Sequence, residues 1–185
     1  MDFIKHYGFE DKHAFLGPSR HHWVNYDDEK FDFAYRNNLA ARKGTELHAI
    51  AAALISNGIK LPDNTKTLNR YVNDAIGFRM SPEVVLFYSQ NCFGTVDAIS
   101  FKDNFLRVHD LKTGVSPTYM RQLEIYTALF CLEYKKSPND FEYELRIYKN
   151  DSVEIHVPEP EAILYIIEKI LKFDKRVEEL NREEL

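Results

Sequence analysis

Apolar and polar positions change period several times along this chain, and each change marks an element. Between residues 39 and 57, Leu47, Ile50, Ala51 and Leu54 recur at i, i+3, i+4 and i+7. That spacing predicts a helix, ended by Asn57-Gly58. A second helix is predicted over 64–77 from Leu68, Tyr71, Val72, Ala75 and Ile76, with Asn64 or Thr65 as its cap. Its outer side carries Lys66 and Arg70, read as a solvated face. The period then falls to two. Three strands follow, over 83–89, 93–101 and 105–112, joined by turns at Gln90-Asn91 and Asp103-Asn104, which makes an antiparallel meander. Helical spacing returns over 117–135, with Pro117 in the first turn and Met120, Leu123, Tyr126 (or Thr127) and Phe130 on one stripe. Strands over 141–148 and 153–157 turn at Asn150-Asp151. A last helix, 161–181, is apolar through Ile163, Ile166, Ile167, Ile170 and Leu171. The mixture reads as α/β, an α+β mixed sheet flanked by helices.

Upstream, residues 15–37 are rich in aromatics, and Ser19 is placed to cap a short helix entered from Pro18. His21-His22 is read as surface or packing, because neighbours on a helix point apart.

Totals change this picture little. The chain has 185 residues, 44% of them hydrophobic, and reads as one domain, 1–185. No apolar run is long enough to cross a bilayer, so no membrane association is expected. The first thirteen residues mix charges throughout, unlike a secretion signal. Cys92 and Cys131 are the only cysteines, which suggests free thiols in a reducing cytoplasm and excludes a four-cysteine cluster within the chain. The net charge of −5 argues against holding a polyanion by bulk electrostatics. Its distribution tempers that objection, since residues 35–136 hold 13 Lys/Arg against 9 Asp/Glu.

The candidate chemistry lies in the stretch Gly94–Gly114, GTVDAISFKDNFLRVHDLKTG. Asp97 falls on its first strand, and Asp110 and Lys112 share one face of its second. Two carboxylates and a lysine in an apolar hairpin are costly unless compensated, and a divalent cation is the simplest compensation. His48 stands among Ala49, Ala51, Ala52 and Ala53; taken alone, it is more often a packed histidine than a ligand. Gln122 and Tyr126 are four apart on one helix face. Glu46 lies nearly opposite His48 around the helix (~200° at ~100° per residue), and reads as a surface residue or a partner of Lys43.

The order helix, three antiparallel strands, helix, strand carries G-T-E-L-H (44–48), G-T-V-D (94–97), D-L-K-T-G (110–114) and Q-L-E-I-Y (122–126). Four motifs in this order, each on its expected element, resemble the PD-(D/E)XK nuclease superfamily, specifically its RecB-type exonuclease branch. The resemblance covers roughly residues 39–148, with 15–37 loosely similar to the aromatic lead-in of that branch. It implies a restriction-endonuclease-like core. It implies that His48, Asp97, Asp110 and the backbone carbonyl of Leu111 bind Mg2+ or Mn2+. Lys112 would contact the attacking water or the scissile phosphate, Gln122 would hold the geometry, and Tyr126 would contact the DNA backbone. Thr113 and Gly114 would let the chain leave the strand close to the phosphate.

Two departures qualify the resemblance. The cysteines that hold an iron–sulfur cluster in part of the branch are missing, and no G-x-x-x-x-G-K-[ST] motor motif occurs. What is implied is a small stand-alone, phage-like, metal-dependent deoxyribonuclease, an exonuclease in recombination, repair or phage DNA processing. Its partners would be DNA, a recombination or single-strand-binding protein, and further copies of itself. A structure-specific endonuclease using the same site, or a non-catalytic DNA- or protein-binding descendant of the fold, are the competing readings.

Overall fold

The computed structural model describes residues 14–113 and 119–183. Gly114 and Pro117, to which the sequence assigns a strand exit and a first helical turn, fall outside the described residues, as do the first thirteen. The chain divides into two units, at Thr45 and Glu46. That boundary falls within α1 (Asp28–Ser56).

In the first unit a 3-10 helix, Pro18–Asn25, precedes α1. Its cap is Gly17, without a side-chain bond, so Ser19 lies inside the turn and does not cap it. The His21 and His22 rings lean on one another, with centroids 4.3 Å apart. The divergence expected of neighbours on a helix does not hold on this exposed turn. Helix α1 begins at Asp28, well before the predicted residue 39. The signals for that start are present: Asp27 Oδ1 accepts the Lys30 N–H at 2.8 Å, and Asp28 and Glu29 favour the positive end of the helix dipole. Phe31, Phe33 and Tyr35 of the aromatic stretch are therefore helical, and Phe31 and Tyr35 stack one turn apart with Phe15 edge-on to both.

The second unit is built on a five-stranded sheet in the order β1-β2-β3-β4-β5, from β1 (Ser81–Ser89), β2 (Cys92–Lys102), β3 (Phe105–Leu111), β4 (Glu142–Lys149) and β5 (Ser152–His156). β1, β2 and β3 pair antiparallel, β4 is parallel to β3, and β5 returns antiparallel. All three predicted turns join antiparallel strands, and two of them are left-handed. Asp103 and Asn104 have φ of 51° and 60°, and Asn150 and Asp151 have 49° and 57°. These are the left-handed values a two-residue turn needs, and Asn and Asp tolerate them best after glycine.

The parallel step from β3 to β4 requires a crossover, and α3 (Arg121–Tyr134) supplies it. With α4 (Pro160–Glu183), it packs on one sheet face over Leu106, Val108, Leu145 and Ile147. On α4 only Ile163 and Ile166 are buried; Leu171, predicted for the apolar face, is exposed. The other face carries α2 (Thr67–Gly77) and the end of α1, packed on Ala98, Leu111 and Tyr148. Here the α1 stripe is turned by about one position from the prediction. Ala51 and Ile55 are buried and Ile50 is exposed, because the sheet meets the side of the helix that bears His48.

Helix α2 is not capped by Asn64 or Thr65. Its first N–H, that of Thr67, donates to Asp151 Oδ1 at 2.8 Å, so the β4–β5 turn caps it from afar. Lys66 pairs with the same carboxylate at 3.5 Å, and Arg70 is half-buried. The end of α1 follows expectation, with Gly58 at φ 65° and the Ile59 N–H returning to Leu54 O. Cys92 and Cys131 are free thiols, and burial pushes Cys131 up to about 12. No helix among the described residues is long and apolar enough to cross a membrane.

Candidate metal centre

The site is made where the β2–β3 ladder stops. The last paired residues are Ala98 and His109. Beyond them the strands part, and the Asp97 side chain replaces the missing rung, its Oδ2 accepting the Leu111 N–H at 2.8 Å. A side chain doing backbone work is fixed in place, which positions its other oxygen. That oxygen, Oδ1, lies 3.4 Å from His48 Nδ1, delivered by α1.

A third side chain completes the group. The β1–β2 register sets Pro82 against Ala98 and Val84 against Val96, so Glu83 falls across from Asp97. Glu83 has φ 51°, a left-handed value that a β-strand residue rarely adopts. Ligand atoms of His48, Glu83 and Asp97 all lie within 4.8 Å of one another. Glu83 is not among the ligands expected from the sequence. The available signal was an isolated acid entering an apolar strand, Ser-Pro-Glu-Val-Val-Leu-Phe.

Asp110 stands beside this group and is 3% exposed. Its Oδ1 accepts from Lys112 Nζ at 2.9 Å. Its Oδ2 is buried and has no hydrogen-bond partner among the described residues. A buried carboxylate oxygen without a donor is expensive, and a cation would satisfy it. Lys112 Nζ also donates to Gln122 Oε1 at 3.0 Å, and its backbone N–H donates to Tyr148 O at 2.9 Å. Tyr126, one turn further along α3, donates its hydroxyl to Thr95 O at 2.5 Å. Its ring takes the space above Gly94: a Cβ there would lie 3.1 Å from Tyr126 Cε1. A side chain at 94 would therefore require the Tyr126 ring to give by a few tenths of an ångström.

The electrostatics follow from crowded carboxylates. Asp110 is held above the usual carboxylate range, first by burial and then by the charge of Asp97, against the pull of Lys112 and His48. Glu83 is raised by burial and by Asp97. His48 is raised by its contact with Asp97, which outweighs burial, and then by the Asp97, Asp110 and Glu83 charges. The phenol of Tyr71, buried on α2, is pushed up by burial and by the charges of the same three carboxylates, so it stays protonated beside them.

The predicted residues are therefore brought together in part. His48 and Asp97 converge, with Glu83 as an unforeseen third. Asp110, Lys112 and Gln122 form a bonded chain beside them, and the Leu111 main chain reaches Asp97 by its N–H. Tyr126 sits at the edge. Thr113 and Glu46 are exposed. An imidazole with several carboxylate oxygens is a donor set suited to hard divalent cations such as Mg2+ or Mn2+. The unpartnered Asp110 oxygen fits that requirement too. No protein-family model matches the chain, and no curated protein matches its sequence.

Proposed function

We propose that this chain is a metal-dependent deoxyribonuclease that hydrolyses phosphodiester bonds, acting as an exonuclease on DNA. The observation that carries the proposal is the juxtaposition at the ladder split. Three acidic side chains and an imidazole gather there, and a lysine ammonium is bonded to one of the acids. The sheet supports the reading, because β1–β3 antiparallel with β4 parallel to β3 is the arrangement expected of a restriction-endonuclease-like core. The choice of exonuclease follows the motif resemblance to the RecB-type branch.

His48, Glu83 and Asp97 would hold Mg2+ or Mn2+, with the open oxygen of Asp110 beside them. When bound, the ion supplies positive charge for the phosphodiester and acidifies water for attack. Lys112 does the rest of the charge handling. Two of its three ammonium donors are committed to Asp110 and Gln122, which leaves one to meet a phosphate oxygen or the attacking water. Gln122 is a positioning residue, since it acts through Lys112. The Tyr126 hydroxyl proton is committed to Thr95, leaving an acceptor at the edge where a strand would pass.

End-labelled linear, circular and single-stranded DNA, incubated with Mg2+ or Mn2+, tests the proposal. Linear DNA should be degraded and circular duplex should survive. Nicking of the circle would replace the exonuclease by an endonuclease using the same site. Intact DNA in every form, with Mn2+ present, would leave a non-catalytic binding protein as the better reading.

A further inference from the structure

A cavity of about 430 Å3 is lined by Ser81, Val84 and Leu86 of β1, by the last residues of β2 and by the end of α3. Its volume is within the range of small-molecule sites (~300–1,000 Å3). Arg79, Lys102 and Lys136 line it, and no carboxylate does so among the described residues, in a chain of net charge −5. These cations come from three different places: the exit of α2, the end of β2 and the segment after α3. Lys136 alone would be explained by the carbonyl end of α3. No single helix end accounts for all three.

The walls are aromatic and open. Phe101 is 36% exposed and Tyr134 is 53% exposed. Lys136 Nζ is held over the Phe101 ring, 4.8 Å from its centroid, which fixes a cation beside a flat apolar face. Arg79 sits at φ 54° in the turn that closes α2, so its side chain leaves the helix at a set angle. The polar floor is unsatisfied. Ser100 Oγ, on a residue of the lining, is buried without a hydrogen-bond partner among the described residues. Lys102 already has a counter-charge, since Asp103 lies 3.7 Å from it, which leaves Arg79 and Lys136 to meet an anion.

Arg79 and Lys136, in a lining without carboxylates among the described residues, call for an anion, exposed rings beside them call for a flat partner, and an orphaned hydroxyl calls for a polar group. We infer that this cavity binds a nucleoside phosphate, its base against Tyr134 and Phe101 and its phosphate between Arg79 and Lys136. The ligand is either a free mononucleotide or the terminal nucleotide of a DNA strand. The inference goes beyond the nuclease reading and does not depend on it, because none of these residues belongs to the metal centre.

Isothermal titration of the full chain in EDTA, with deoxyadenosine monophosphate, orthophosphate, deoxyadenosine and a 5′-phosphorylated oligothymidylate, tests it. Deoxyadenosine monophosphate should bind once per chain, at least tenfold tighter than either orthophosphate or deoxyadenosine. Arg79→Asn with Lys136→Ala should weaken it at least tenfold (Asn tolerates the left-handed backbone at 79), and Ser100→Phe, which fills the cavity, should abolish it. Asp110→Ala should leave it unchanged. Tighter binding of the oligonucleotide than of the mononucleotide identifies a strand end as the ligand; the reverse identifies the free nucleotide. No heat with any probe, equal affinity for orthophosphate, or loss in Asp110→Ala with none in the cavity variants would overturn the assignment. Because the titration needs neither metal nor cleavage, its failure leaves the nuclease reading standing.

Discussion

Two histidines on this sheet and its flanking helix are pushed in opposite directions. His48, on α1, is raised by the acids it faces. His109, on β3, is pushed down to about 3 by burial and by Arg146 and Arg107. The regions around them differ in the same way. Around His109 the charges answer one another. Arg146 bonds Glu144 at 2.8 Å and Asp74 at 3.3 Å, and Tyr148 donates to Asp74 at 2.7 Å. Arg107 and Arg146 also lie over the Phe78 ring, 4.5 and 4.9 Å from its centroid. Two cations meet two carboxylates, so the charges balance even though His109 Nε2 and Arg107 Nε are buried without a hydrogen-bond partner among the described residues. Around His48, Glu83, Asp97 and Asp110 outnumber Lys112, and one buried oxygen has no donor. Charge left uncompensated inside a fold points to something that arrives later.

The sharpest way to break this comparison is to remove charge from the uncompensated side. Asp110→Ala and Lys112→Ala should each lower cleavage of end-labelled DNA by at least ~10³-fold, with the fold retained by circular dichroism. If Asp110→Ala cuts as well as the parent, the site is misassigned.

A cation should supply what the acids lack. Mg2+ or Mn2+ at a hundred times its dissociation constant should stabilise the protein by about 2.7 kcal/mol. At ~2–4 °C per kcal/mol for a chain of this size, that is a visible rise in Tm, and Asp97→Ala should lose it.

The sign of the pH dependence follows from the same shifts. Asp110, Glu83 and His48 are all raised above their ordinary 3.8, 4.5 and 6.5, so their contribution is full below those values and is lost as pH rises through the folded ones. His109 is lowered, so its contribution is present above 6.5 and lost as pH falls toward about 3. Without metal, Asp110→Asn should therefore flatten the fall in Tm as pH rises above 3.8. An unchanged slope would show that the carboxylate crowding does not act on stability.

On the compensated side, Asp74→Ala should cost about 1–2 kcal/mol in chemical denaturation, discounted because Asp74 is a third exposed and Arg146 keeps Glu144. Cleavage well below Tm should be unaffected. The smallest effect is expected from Glu83→Gln, about tenfold in metal affinity by calorimetry. No change there would remove Glu83 from the ligand group.

How much of this was legible from residues alone depended on how local the determinant is. The turns at Asp103-Asn104 and Asn150-Asp151 were legible because their left-handed backbone is a property of two residues. Asp110 and Lys112 were legible because alternation on one strand sets their shared face. Gln122 and Tyr126 were legible because four residues make about one helical turn. Glu83 was not, since its place depends on cross-strand register and on a backbone kink that no local pattern announces. The exposed Ile50 and the half-buried His48 show the same limit: helical spacing gives a face, and the sheet decides how that face is turned. The early start of α1 was legible in principle from Asp27, Asp28 and Glu29, but the aromatics that follow obscured it.

The side-chain rung between Asp97 and Leu111 also has a spectroscopic consequence. In an ordinary ladder an amide proton exchanges with solvent when two strands separate. The Leu111 amide is held by a carboxylate instead, so its exchange rate tracks how often Asp97 lets go. A single amide resonance thus reports on the acid at the centre of the site, with no substrate and no cleavage required.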